Sequence, residues 1–262
     1  MRCSITRFLN GMNFKEKLEK IVSKNNSLLC VGLDVDKDKI SKPILEFNKE
    51  IIDSTKDLVC SYKLNMAFYE ALGREGFDIL EKTIRYIPNE IVVILDGKRN
   101  DIGNTVKKYA KSLFEKLNSD AITINPYLGI DGVQPFLDYK DKCSFILCRT
   151  SNPSAIDFQD LVINDKPLFE LVAEKIKQWN TNNNCGAVVG ATYPDELKKI
   201  RKILGKDIPI LIPGIGAQGG NVKKTVKSAG ENAIIVSSRG IIYSKNPKES
   251  ASNLRNEINK YR

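Results

Sequence analysis

At 262 residues, with 42% hydrophobic and 28% charged side chains, the chain has room for one large domain or two small ones and the composition of a globular protein. It contains no histidine. That excludes Ser-His-Asp and Cys-His nucleophilic schemes, His metal sites and imidazole acid–base catalysis, so proton transfer near neutral pH falls to Lys, Asp, Glu, Cys or Tyr.

The formal charge is +9, yet there is no Lys-rich tail, Arg cluster or aromatic–basic stripe. It reads as a surface bias that attracts anionic small molecules rather than nucleic acid. No run approaches the roughly 20 apolar residues of a membrane span, and the start, Met1 to Leu9, is too short and broken for a secretory signal. Six cysteines are scattered without zinc-site spacing, and Cys143 and Cys148 share one predicted strand without forming a CxxC pair. Reduced thiols and a cytoplasmic location are expected.

Spacings of three and four predict an amphipathic helix over 14–24, with Phe14, Leu18, Ile21 and Val22 on one side. Strands and helices then alternate. The predicted strands are 28–34, 57–65, 91–95, 121–127, 143–150, 186–191, 209–214 and 232–239. Helices are expected from Pro43, in a first turn, to about Asp57, then through Tyr69, Leu72, Phe77 and Leu80, from Val106 to Leu117, and from Val133 to Tyr139. A polar loop, 151 to about 165, precedes a helix carrying Leu168, Leu171, Val172 and Ile176. Further helices are expected over 194–204, through Val222, Val226 and Ala229, and over 247–260. Eight strand–helix units of about 30 residues each, without a linker-like gap, predict a single-domain α/β protein, a (β/α)8 TIM barrel. An open doubly wound sheet is the alternative. The barrel domain is expected over 14–262, with 1–13 as an N-terminal extension.

One junction concentrates chemistry. The β-branched run Ile91 to Leu95 suits a strand covered on both faces, and it stops at Asp96-Gly-Lys98. Asp96 and Lys98, two apart on an extended chain, face the same side at roughly 7 Å between Cα atoms, and Asp101 falls where the next helix begins. Plainer readings exist: Asp101 as a helix cap, and Asp96 with Lys98 as an ordinary strand-end ion pair.

Barrel enzymes build their sites at the carboxyl ends of the strands. Those ends carry Asp34, Lys63 with Asn65, Asp96 with Lys98, Asn125, Thr150 with Ser151, Thr192, Pro213-Gly214 and Ser238-Arg239. Two acids and three bases meeting at one mouth suggest an anionic ligand. Pro213-Gly-Ile-Gly-Ala-Gln-Gly-Gly220 is a glycine-rich loop opening a helix, and Arg239 ends the next strand. Backbone N–H groups freed by glycine and a guanidinium fork suit phosphate. A dinucleotide fingerprint is matched only formally, by Gly214, Gly216 and Gly219, and lacks the acid expected downstream.

These blocks resemble the orotidine 5′-monophosphate decarboxylase family. In order they are Gly32-Leu-Asp34, Lys63-Leu-Asn65, Asp96-Gly-Lys-Arg-Asn-Asp-Ile-Gly-Asn-Thr105, Arg149-Thr-Ser-Asn-Pro153, Gly186 to Thr192, Pro213 to Gly220 and Ser237-Ser-Arg-Gly-Ile-Ile-Tyr243. The likeness runs from about residue 28 to 245. The longer loop after the fifth strand is similar to the group that includes parasite enzymes.

The resemblance implies decarboxylation of orotidine 5′-monophosphate (OMP) to UMP without cofactor or metal. Asp34 and Asn65 would contact ribose, Lys63 would hold Asp96 and ribose, and Asp96 would sit beside the leaving carboxylate. Lys98 would protonate C6 of the pyrimidine. Asp101, Ile102 and Thr105 would reach into the partner's site across a homodimer. Ser151 would bond the pyrimidine, Pro213 line its pocket, and Gln218 and Arg239 hold phosphate. Where many members have glycine before that arginine, this chain has Ser238, another substrate-binding candidate. Fusion to, or association with, orotate phosphoribosyltransferase is a further implication, as in many eukaryotes.

Three other readings stay open. A metal-dependent sugar-phosphate enzyme on the same barrel would need more oxygen ligands, such as a glutamate at the mouth. A Schiff-base aldolase could use Lys63 or Lys98, although flanking carboxylates disfavour a neutral amine. A nucleic-acid binder would need a continuous positive surface.

Overall fold

In the computed structural model, residues 11–215 and 220–262 are described. The short apolar runs of the sequence become eight parallel strands: β1 Leu29–Gly32, β2 Ser61–Asn65, β3 Val92–Arg99, β4 Ala121–Ile124, β5 Cys143–Arg149, β6 Cys185–Val189, β7 Ile210–Pro213 and β8 Ala233–Ser237. Each pairs with its neighbour in sequence, and β8 pairs with β1 to close the barrel. Helices follow the strands on the outside. Strand residues such as Val31, Leu64, Ile94, Ile122, Ile146 and Ile235 are fully buried, because one strand face looks into the barrel and the other onto a helix. Burying one such side chain is worth about 1.5–3 kcal/mol, which is why the runs are apolar without alternation.

The first helix, Phe14–Asn25, packs against β3. Asn13 and Glu16 form a reciprocal capping box at its start, and the ring of Phe14 meets Phe145 of β5 edge-on at 5.8 Å. Lys17 forms a buried ion pair with Asp120 at 2.7 Å, and that carboxylate also accepts from the Val93 amide.

Several boundaries differ from expectation. β2 starts at Ser61 rather than residue 57, because the chain leaving the preceding helix, Ile44–Thr55, first turns, with the Leu58 amide bonded to Thr55. Pro43 caps that helix from outside its first turn. β3 does not stop at Asp96. It runs through Lys98 to Arg99, and from Leu95 to Arg99 it advances four residues while β4 advances two, Ile122 to Ile124. The next helix, Gly103–Lys111, widens into a π turn at Ser112–Lys116. The helix after β4 spans Ile130–Leu137, earlier than predicted. The loop after β5 holds a 3-10 turn, Pro153–Asp157, and a small hairpin of Val162–Ile163 with Lys166–Pro167. Arg239 opens a short helix, Arg239–Ile242, instead of ending β8.

Cys30, Cys60, Cys143, Cys148 and Cys185 are buried and unpaired, while Cys3 lies outside the described residues. Burial pushes the Cys185 thiol up to about 12, so it is inert as a nucleophile near neutral pH. Among the described residues no helix is long and apolar enough to cross a membrane.

Candidate active site

Parallel register sets the site. Gly32 aligns with Lys63, and Asn65 with Asp96, so Asp34, Lys63 and Asp96 emerge side by side at the carboxyl ends of β1, β2 and β3. They join Lys98 in an alternating chain of acids and bases. The Lys63 ammonium lies 3.2 Å from Asp34 Oδ1 and 3.0 Å from Asp96 Oδ2, and Lys98 Nζ lies 2.7 Å from Asp96 Oδ1. The Asp34 carboxylate also accepts from the Asn65 amide and, at 2.9 Å, from the Ser238 hydroxyl. That approach needs a bare backbone at Gly32, where an added Cβ would stand 1.9 Å from Ser238 Oγ.

Burial and charge oppose each other at the two central groups. Burial works to lower the affinity of Lys63 for its proton, but Asp34 and Asp96 outweigh it and hold the ammonium above its ordinary range. Burial likewise pushes the Asp96 carboxyl up, yet Lys63, Lys98 and hydrogen bonds from Lys98 and Thr123 leave it well below the usual carboxylate range. Charge pairing wins at both, so this part of the array stays ionised at neutral pH.

The array forms one wall of a cavity of about 630 Å³. Asp34, Lys63, Asn65, Asp96, Lys98, Ser151, Pro213, Ser238 and Arg239, all singled out in the sequence, line it. Leu147, Val188, Leu211 and Val236 supply an apolar floor, which strengthens the electrostatics above it. Pro213, Gly214, Ile215 and Arg239 line the cavity as well. Gly214 has φ +106°, which L side chains rarely adopt, and its carbonyl accepts from the Gly220 amide at 3.2 Å. Gln218 lies outside the described residues.

Three expected residues stand apart. Asp101, Ile102 and Thr105 do not line this cavity. Ile102 is 57% exposed, and among the described residues the Asp101 carboxylate accepts only the adjacent Ile102 amide, at 2.8 Å. Nor does Asp101 cap the helix, which begins at Gly103 after an Ile102 that offers no side-chain bond. Asn125 and Thr192 are also outside the cavity, Asn125 turning back to the Tyr127 amide.

The cavity adds Asp36, Lys39, Thr123, Gln159 and Tyr243. Thr123 was legible in principle, two residues before Asn125 on a strand of period two. Asp36 caps and Lys39 ends a 3-10 turn, Lys37–Lys39, too short to show periodicity. Gln159 belongs to the scaffold of the loop after β5: it exchanges hydrogen bonds with Thr150, while its neighbour Asp160 pairs with the buried guanidinium of Arg149 at 3.1 Å. Ser151 is thereby held against Gly190, where a Cβ would stand 2.8 Å from the serine's own.

The family described as orotidine 5′-phosphate decarboxylase / HUMPS matches residues 27–254, a span holding every cavity residue named above. The chain belongs to the orotidine 5′-phosphate decarboxylase family. A member named orotidine 5′-phosphate decarboxylase from Dehalococcoides mccartyi is 48% identical, over 96% of this chain and 99% of that protein. The structure of Leishmania donovani OMP decarboxylase superposes with TM-score 0.88 at 39% identity, covering 95% of this chain and 98% of that one. Leishmania donovani UMP synthase gives TM-score 0.91 at 41% identity, over 95% of this chain but 56% of that longer one. Membership in this family makes the chain a carboxy-lyase.

Proposed function

We propose that the chain decarboxylates orotidine 5′-monophosphate to UMP and CO2, the last step of de novo pyrimidine nucleotide synthesis, with its own side chains and neither cofactor nor metal. The observation that carries this reading is the chain Asp34–Lys63–Asp96–Lys98 lining a cavity that Pro213, Gly214 and Arg239 also line.

Loss of CO2 leaves an electron pair in an in-plane orbital at C6, where the ring π system cannot delocalise it. Fixed charge has to stabilise it instead. Lys98 as ammonium faces that charge and delivers the proton to C6, completing UMP. Asp96 sits against the departing carboxylate and repels it more before CO2 leaves than after. Lys63 keeps Asp96 ionised and, with Asp34 and Asn65, meets the ribose hydroxyls. Arg239 and Gln218 take the phosphate, Ser151 the pyrimidine edge, and Pro213 lines the ring. The hydroxyl of Ser238 holds Asp34 in place. Binding at the phosphate, remote from C6, supplies energy for ordering the site.

In this reading the active unit is a homodimer, with Asp101, Ile102 and Thr105 reaching the partner's cavity. Their outward position supports it, as does a neighbouring apolar face. Tyr127 is 80% exposed, and Leu128 and Ile130 are also exposed. A Cβ on Gly132 would touch both Asn100 and Leu128, so the two loops are adjacent. We place the enzyme in the cytoplasm, with residues 1–13 as an extension to the barrel domain of 14–262. Fusion to, or association with, an orotate phosphoribosyltransferase is part of the proposal, supported by the likeness to a UMP synthase.

The test is spectrophotometric. Purified chain mixed with orotidine 5′-monophosphate in EDTA should bleach the substrate's absorbance with release of UMP. No turnover, or turnover that chelation abolishes, would sink the reading.

A further inference from the structure

Among the described residues, six non-glycine positions have positive φ, and five of them are Asn or Asp, which tolerate it. The sixth is Lys98, at φ +47°. A lysine in this region costs on the order of 1 kcal/mol or more, so the surroundings must hold it there. Lys98 lies inside the register slip of β3 against β4, where its amide loses a regular ladder acceptor.

Thr123, buried on β4 opposite the slip, fills that gap. Its hydroxyl oxygen accepts the Lys98 amide at 3.0 Å and its proton goes to Asp96 Oδ1 at 2.8 Å. The same carboxylate oxygen receives Lys98 Nζ at 2.7 Å. A hydroxyl has one proton to give, so the two bonds fix its rotor. One side chain thus ties the backbone of Lys98 to the carboxylate that its own ammonium contacts.

We propose that Thr123 is a positioning residue for the decarboxylation, holding the left-handed backbone of Lys98 and the facing oxygen of Asp96 in the geometry from which the ammonium reaches C6. The inference rests on the function proposed above. Valine keeps the shape of threonine and removes both bonds, while serine keeps the bonds and removes a methyl group.

The experiment compares wild type, Thr123→Val and Thr123→Ser for kcat, KM, UMP binding and thermal midpoint. Misplacing a reacting group by a fraction of an ångström to one ångström costs up to about 100-fold. Thr123→Val should therefore lose roughly 10- to 100-fold in kcat, with KM and the UMP Kd changed less than about threefold. Thr123→Ser should return kcat to within about threefold of wild type, because the hydroxyl and not the methyl group carries the effect. A Thr123→Val enzyme with wild-type kcat overturns the inference. So does a folded Thr123→Ser enzyme as impaired as Thr123→Val, which would make packing the cause. Should Thr123→Val fail to fold, the serine variant and a Thr123→Asn variant, which retains a donor and an acceptor, carry the same comparison. A wild-type chain inert toward orotidine 5′-monophosphate would instead overturn the function itself, a result visible before any variant is made.

Discussion

At the residue scale, the site shows charge pairing overcoming burial. An isolated buried lysine gives up its proton readily, yet Lys63, with 5% of its side chain exposed, lies between two carboxylates and keeps its proton. The sign of the pH dependence follows. Asp96 has a folded-state pKa below its ordinary 3.8, so its contribution to stability is complete above that value and fades as pH falls toward the folded one. Lys63, raised above 10.5, contributes fully below that value and loses its part only as pH climbs through the folded one. Between about pH 5 and 9 neither group titrates. The stability difference between wild type and Asp96→Asn in urea melts should be constant across that window and should shrink below about pH 4. A difference as large at pH 3 as at pH 6 would contradict the assignment of Asp96 as the charged hub. Residue identity at this hub was legible in the sequence, because Asp96 and Lys98 are two apart at the end of an apolar run. The third ligand of the hub, Thr123, has no charge to mark it within a buried strand, and only the strand period, two residues before Asn125, points to it.

At the scale of elements, the barrel could be read from apolar runs alone, because the apolar stretch of every barrel strand is buried on both faces. What those runs do not encode is register. The slip of β3 against β4 lies within Asp96 to Arg99, where polar residues end the apolar signal while backbone pairing continues to Arg99. Periodicity therefore placed the strand end at Asp96 and missed the feature that turns Lys98 into the cavity. The helix after it failed in a related way. Asp101 is a good cap by composition, but the backbone enters the helix two residues later, and the acid is left on the outside. Arg239 lines the cavity, although it opens a helical turn after β8 and is not the strand's last residue. Asp36, Lys39 and Tyr243 reach the cavity from turns whose course depends on tertiary contacts, such as the hydrogen bond from the Asp36 amide to the Tyr243 hydroxyl at 2.8 Å.

At the scale of the whole molecule, the account requires a second subunit, since Asp101 cannot complete the cavity of its own chain from where it stands. Mixing two defective proteins tests this. Lys98→Ala and Asp101→Ala should each be nearly inactive as homodimers. After joint unfolding and refolding, hybrid dimers carry one cavity with both wild-type groups, and random pairing restores up to about a quarter of the sites. Activity no greater than the sum of the two parents would show that Asp101 does not act across subunits. A narrower question concerns Lys98, whose ammonium is the proposed proton donor. Turnover of orotidine 5′-monophosphate and binding of UMP by Lys98→Ala decide it. In that variant kcat should fall at least about 1000-fold, with UMP affinity kept within about tenfold. A variant that still turns over within tenfold of wild type would contradict that role.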